Sequence, residues 1–350
     1  MTTINAIRFD EASGIMICDE QRHWNPELMK IYAADKIRPV VPAHISRRYG
    51  IAAAYGNTGT SAIGDELRLS IYRRIDRRYR RLVQEQGAEP DTFLSIDAIA
   101  QLAWDTICDM KHTHTDDYLA QTYGFRTADF IAGSSGEDGD NRPIANRNIV
   151  REAMKQIALE PGSRAPHAVF GNGGILAGFD QQKGFSIYAF SMRAGTMEEV
   201  ECGFAALGSG SDTTNFVFPR FFSSLSCASR CRLDPVAGTY AALSAVVQAA
   251  HCNLGVGGYY NLLFFKQKAP AEQLLQEIND HRGKLAGEIV QAHLHGLLAD
   301  ACCYDLLKGL LFQDKGLAWA EQLMWQACSD PLRLHRLLRG YPLEPAVRKG

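Results

Sequence analysis

The chain has no uninterrupted apolar run near the ~20 residues that cross a bilayer, so no transmembrane helix is expected. It also has almost no net charge. With 37 Lys and Arg against 39 Asp and Glu, the balance of −2 gives no global field directed at nucleic acid or a membrane surface. The first residues lack the basic segment and apolar stretch of a signal peptide. Nine cysteines, an odd number with no C-x-x-C pair, argue against a disulfide framework and for reduced thiols in a cytoplasm. Cys18, Cys202 and Cys252 stand in apolar runs and are expected to be buried and inert. No G-x-x-x-x-G-K-[ST], G-x-G-x-x-G or G-x-S-x-G occurs, so no cofactor is expected and a serine nucleophile elbow is excluded. His112 and His114 lie among acids. On a helix they face different ways, and no second ligand cluster accompanies them, so no metal is expected.

What is present begins at Thr2. Ile4 to Phe9 and Ile15 to Asp19 read as two short strands joined by a turn ending in Gly14, which is a β-hairpin. A strand starting at the second residue is unusual, because termini are normally loose. It makes sense if the terminus is used. Loss of Met1, usual before a residue as small as Thr, would leave Thr2 with a hydroxyl and an α-amine of reference pKa about 7.7–8.0. That amine can act as general base for the hydroxyl of the same residue.

The opening Thr2-Thr3-Ile4, the hairpin ending at Asp19, and Ala33-Ala34-Asp35-Lys36-Ile37 resemble proteasome β subunits and the bacterial HslV peptidase. In that family an N-terminal Thr, an Asp closing the second strand and a Lys on the next strand form the catalytic core, matched here by Thr2, Asp19 and Lys36. Asp19-Glu20-Gln21-Arg22 is one residue longer than the family's Asp-x-Arg. The resemblance further implies an oxyanion donor in the turn Asn57–Ser61, assigned to Gly59 with Gly56 as second candidate. It implies an amine-holding Ser in Gly208-Ser209-Gly210-Ser211, assigned to Ser209. Where the family has Arg-Asp-x-x-Ser-Gly-Gly, this chain has Asn253 and Val256 in place of Asp and Ser. Asn accepts a hydrogen bond but carries no charge. Val does neither.

Elsewhere the patterns are structural. Residues 62–86 read as a helix with Leu67, Ile71, Ile75 and Leu82 on one face. Its seven arginines (Arg68, Arg73, Arg74, Arg77, Arg78, Arg80, Arg81) form either a nucleic-acid or partner surface, or a solvated face pairing across a subunit contact. The neutral chain favours the second. A helical region at 91–123 (including Phe93) leads to a polar Gly/Ser loop at 132–141, and 103–150 reads as an insertion. A strand from His167 to Asp180, one at 184–190 and one at 200–207 restore β character. Two helices (212–229 and 234–251) precede a strand from Tyr259 to Phe265. From Ala269 onward the pattern is helical, and Trp319 to Leu338 is expected to bury itself against a neighbouring subunit.

The expectation is a four-layer αββα sandwich over residues 2–267, followed by a helical extension over 268–350. The resemblance implies an N-terminal-threonine peptidase acting through an acyl-enzyme on Thr2. It also implies a homo-oligomeric ring or related assembly, with an unfoldase ATPase as a further candidate partner. A non-catalytic scaffold of the same fold and an amide-bond transferase are the alternatives.

Overall fold

The N-terminal hairpin lies inside one sheet, paired on both sides. Ile4–Asp10 (β1) and Ser13–Asp19 (β2) run antiparallel, with Ile4 opposite Cys18 and Ile7 opposite Ile15. Asp10 Oδ1 closes the turn by accepting from the Ala12 N–H at 2.8 Å and the Ser13 hydroxyl at 2.7 Å. The structure is a computed structural model that describes residues 2–24, 29–32, 35–85, 87, 94–135, 142–158, 172–192 and 195–340. Met1, Phe93, His167 and most of the Gly/Ser loop lie outside those residues.

The remaining strands are Gln21–Trp24 (β3), Met29–Tyr32 (β4), Ile37–Pro39 (β5), Ala52–Thr58 (β6), Ser134–Ser135 (β7) and Arg142–Pro143 (β8). They continue with Gly173–Asp180 (β9), Gly184–Ser191 (β10), Thr196–Glu199 (β11), Phe204–Leu207 (β12), Tyr260–Lys266 (β13) and Leu275–Ile278 (β14). The α-helices are Ala43–Tyr49 (α1), Ser61–Tyr79 (α2), Ile96–Tyr123 (α3), Thr127–Ala132 (α4), Arg147–Ala158 (α5) and Ser211–Ser223 (α6). They are followed by Cys227–Cys231 (α7), Pro235–Cys252 (α8), His281–Leu294 (α9), Asp300–Phe312 (α10), Leu317–Ala327 (α11) and Pro331–Arg339 (α12). The fold is therefore mixed α and β. Its two five-stranded sheets, in the orders β12-β1-β2-β13-β14 and β11-β10-β9-β6-β5, have only antiparallel pairs.

Side-chain alternation along the strands separates the core into faces. Met16 and Cys18 of β2, Ile4 and Ala6 of β1, and Leu263 and Phe265 of β13 share one cluster with Ala52 and Ala54 of β6 and Ile175, Ala177 and Phe179 of β9. The intervening residues Ile7, Phe9, Ile15, Ile17, Leu262 and Phe264 join helices α6 and α8 to α12. On the second sheet, Ala53, Tyr55, Leu176 and Tyr188 join helices α2 and α3. Strands covered on both faces cannot alternate apolar with polar. That is why β2 and β9 read as near-continuous apolar runs.

Several local expectations change. Residues 43–49 form α1, with Ile45 fully buried as the anchor of its turn. The strand expected at 200–207 is shortened to Phe204–Leu207 (β12) after a turn at Glu201–Gly203, and β11, in the other sheet, precedes it at Thr196–Glu199. The helix expected from residue 269 begins at His281; β14 precedes it and pairs with β13. The position 103 chosen as the start of an insertion falls within α3. Cys202 and Cys252 are exposed, at a turn and at a helix end; Cys18 is buried. Ala320, Met324 and Leu334 are buried in the chain's own core, with Trp319, Leu323, Trp325 and Leu337 packed on it. The Trp319–Leu338 segment thus finds within the chain the apolar cover expected from a neighbour.

Candidate active site

Asp19 organises the site. It ends β2 and is completely buried. Its Oδ1 accepts from Lys36 Nζ at 2.8 Å and from the Thr3 N–H at 2.9 Å, while Oδ2 accepts from the Gly257 N–H at 3.1 Å. A buried carboxylate survives only when paired and hydrogen-bonded, and three donors meet that need. Lys36 comes back to Asp19 because β3 and β4 pair as an antiparallel excursion (Gln21 opposite Tyr32) whose ends meet where it began. The sequence carries no clear signal for that small hairpin. The pair's side chains are 4% and 0% exposed, so the interaction is screened very little by solvent.

Thr2 lies one residue from this pair, because Thr3 supplies one of the donors to Asp19. The Thr2 N–H donates to Ser209 Oγ at 3.1 Å, and the Gly210 N–H donates to the Thr2 carbonyl at 3.3 Å. Gly208 has φ of +105°, and a Cβ there would fall 2.1 Å from the Thr2 carbonyl oxygen. Only glycine lets this turn press against the terminus. The same Cβ would stand 3.1 Å from the Thr58 methyl, which places the Asn57–Ser61 turn beside Thr2. Gly59, with φ of +103°, is the left-handed residue of that turn, held against Asn172. Gly56 instead abuts Ile4 and Ile37 between the sheets, where its lack of a side chain serves packing.

Asn253 acts one step away. Its Nδ2 donates to the Ser209 carbonyl at 2.9 Å and its Oδ1 accepts from the Gly255 N–H at 2.9 Å, so it fixes the Ser209 turn. Val256 is buried and donates its N–H to the Asn253 carbonyl at 3.1 Å. Gly257 was missed as a donor to Asp19; its only sequence signal is the Gly255–Gly258 run. Glu20 was missed as well. It is 6% exposed, and burial raises its carboxyl pKa above the ordinary value, an effect the Lys36 charge opposes and Asp19 reinforces. Burial likewise pushes the Cys18 thiol up to about 12, which keeps it neutral beside the pair. No group of His, Cys, Asp and Glu suited to a metal occurs among the described residues. The arrangement sets Thr2 beside the buried Asp19–Lys36 pair and against the Gly208–Gly210 turn, with the Asn57–Ser61 turn alongside.

No protein-family model matches the sequence, and no curated protein does. Solved structures do. Anbu, an ancestral β-subunit from Yersinia bercovieri, superposes with a TM-score of 0.51 at 14% identity, covering 85% of this chain and 94% of its own. A Gly-1 mutant of Anbu from Hyphomicrobium sp. strain MC1 gives a TM-score of 0.45 at 11% identity, covering 76% and 83%. The resemblance drawn to proteasome β subunits and HslV is thereby corrected: the structural neighbours found include Anbu, a proteasome-like relative. The physical reason is that a threonine start, a hairpin and an Asp–Lys pair describe one strand end, and do not distinguish the lineages that build on it. The likeness supports a fold shared with Anbu for this chain.

Proposed function

We propose that the chain is an N-terminal-threonine hydrolase of amide bonds, acting through an acyl-enzyme on Thr2 once Met1 has been removed. The observation that carries this reading is the buried Asp19 carboxylate, which holds Lys36 Nζ and the Thr3 N–H on a single oxygen. A cation fixed there lowers the cost of forming an alkoxide at Thr2 and depresses the pKa of the free amine. The amine takes the hydroxyl proton as Oγ attacks the carbonyl carbon. The Gly59 N–H donates to the resulting oxyanion, and such donors act strongly because they are oriented before the reaction. Collapse expels the leaving amine, which receives the proton from the Thr2 ammonium. Water, deprotonated by the same amine, then cleaves the Thr2 ester.

Ser209 supports the reading by accepting from the Thr2 nitrogen, and Asn253 by holding the Ser209 turn. Peptides are the proposed substrates, and a homo-oligomer is the proposed assembly. The two sheets and their helical covers are proposed to form a four-layer αββα sandwich over residues 2–267, with 268–350 as a helical extension. A scaffold without catalysis is the second reading, favoured by the uncharged Asn253 and apolar Val256. Turnover of a fluorogenic peptide library by wild type and Thr2→Ala separates them. Cleavage lost in Thr2→Ala supports the hydrolase; equal cleavage, or none in either, supports the scaffold.

A further inference from the structure

Arg74, Arg77, Arg78 and Arg81 recur at i, i+3, i+4 and i+7, which places them on one helical face. They line a surface groove of about 640 Å³ between the end of α2 and the flank of α3. The helix changes to π geometry at Arg80–Glu85, where the stripe ends; such irregularities recur at functional sites. The other arginines of this stretch that face acids are Arg68, 3.1 Å from Asp65, and Arg80, 2.9 Å from Asp76. Within the groove Arg74 reaches Asp109 at 2.7 Å, whereas Arg77 and Arg81 have no acid at ion-pair distance among the described residues. Like charges four residues apart destabilise a helix. The groove gathers four guanidinium groups against two lining carboxylates, Glu85 and Asp105, an excess of positive charge that suits an anion.

The residue types narrow the ligand. Every cation in the stretch 68–81 is arginine, none lysine, and the guanidinium fork matches phosphate oxygens two at a time. The stripe covers seven residue steps, about 10 Å at 1.5 Å each. The volume is that of a small-molecule site. Among the described residues its apolar lining is Leu102, with no aromatic on which a base could stack, which disfavours nucleotides and single-stranded nucleic acid. The carboxylates Glu85 and Asp105 also line the groove and oppose extended acidic chains, which favours a compact anion held by the arginines. We infer that this groove binds a small soluble oligophosphate, gripped by Arg74, Arg77, Arg78 and Arg81. The site is separate from Thr2 and does not depend on the hydrolase reading.

Titration calorimetry of the full chain with sodium tripolyphosphate tests this. The expected result is saturable binding of one anion per chain that weakens steeply between 50 and 200 mM salt, as phosphate contacts do. Arg77→Gln with Arg81→Gln should weaken it about tenfold or more, given the strength of charged hydrogen bonds. Arg77→Lys with Arg81→Lys, which keeps the charge and loses the fork, should still bind several-fold less tightly than wild type. Arg333→Gln with Arg336→Gln, an equal loss of charge at exposed positions on α12, should leave binding unchanged. No saturable binding at 50 mM salt, an equal loss in the α12 variant, or tighter binding of hexaglutamate or an RNA duplex would each overturn the inference.

Discussion

Lys36 Nζ sits 2.8 Å from Asp19 Oδ1, and the pair is all but sealed from solvent. Breaking a buried pair by removing one partner leaves an uncompensated charge and costs about 3–5 kcal/mol. Lys36→Ala is therefore expected to lose stability of that order together with any acylation of Thr2. The double variant Asp19→Asn, Lys36→Met should lose less than the sum of its single changes, since no orphan charge remains. Urea unfolding of the four proteins measures the coupling. Additive losses would mean the pair is weaker than its burial implies.

Asn253→Asp, which would supply the charge present in the resembled motif, is expected to harm the protein. Asn253 Nδ2 donates to the Ser209 carbonyl, and a carboxylate has no donor to offer there. Two acceptors would face each other at an exposed site, at a cost of about 0.5–1.5 kcal/mol. Thermal unfolding should register the loss, with slower labelling of Thr2. A more stable or more reactive variant would show that the turn tolerates acid.

Gly208→Ala tests how closely the terminus is held. The substitution adds a Cβ at a left-handed φ and 2.1 Å from the Thr2 carbonyl oxygen, so either the turn or Thr2 must move. A loss of roughly 2 kcal/mol or more, typical of strained or overpacked sites, is expected in thermal unfolding. An unchanged melting temperature would contradict the contact.

Glu20 gives a pH dependence with a defined sign. Its folded pKa is raised by burial above the value of 4.5 expected when unfolded. Between those two values the folded state binds more protons, so this residue's contribution to stability falls as pH rises. Glu20→Gln should then be more stable than wild type at pH 7. The gain should vanish below the unfolded pKa, where both side chains are neutral. Unfolding curves at pH 4 and pH 7 provide the check; a gain equal at both would assign the effect to something other than ionisation.

How far the sequence revealed this site follows from the range of its interactions. The β1–β2 hairpin and the strand-end position of Asp19 are local patterns, and both were readable. The placement of Thr2, Lys36 and Ser209 around Asp19 was legible through a resemblance whose lineage the fold then corrected. The β3–β4 excursion, the Gly257 donor and the burial of Glu20 were not readable, since each depends on segments distant in sequence. The C-terminal helices were recognisable as amphipathic. That their apolar faces cover α8 and β13 of the same chain was not, because periodicity does not name the surface a helix will meet.

The central claim is that Thr2, freed of Met1, is a nucleophile whose amine and hydroxyl act together. Its most direct test treats native protein with a peptide epoxyketone, which requires both groups on one residue, followed by intact-mass measurement and peptide mapping. One adduct per chain on an N-terminal Thr2, absent in Thr2→Ala, is the predicted result. Retention of Met1 on active protein, or an adduct that persists in Thr2→Ala, would contradict it.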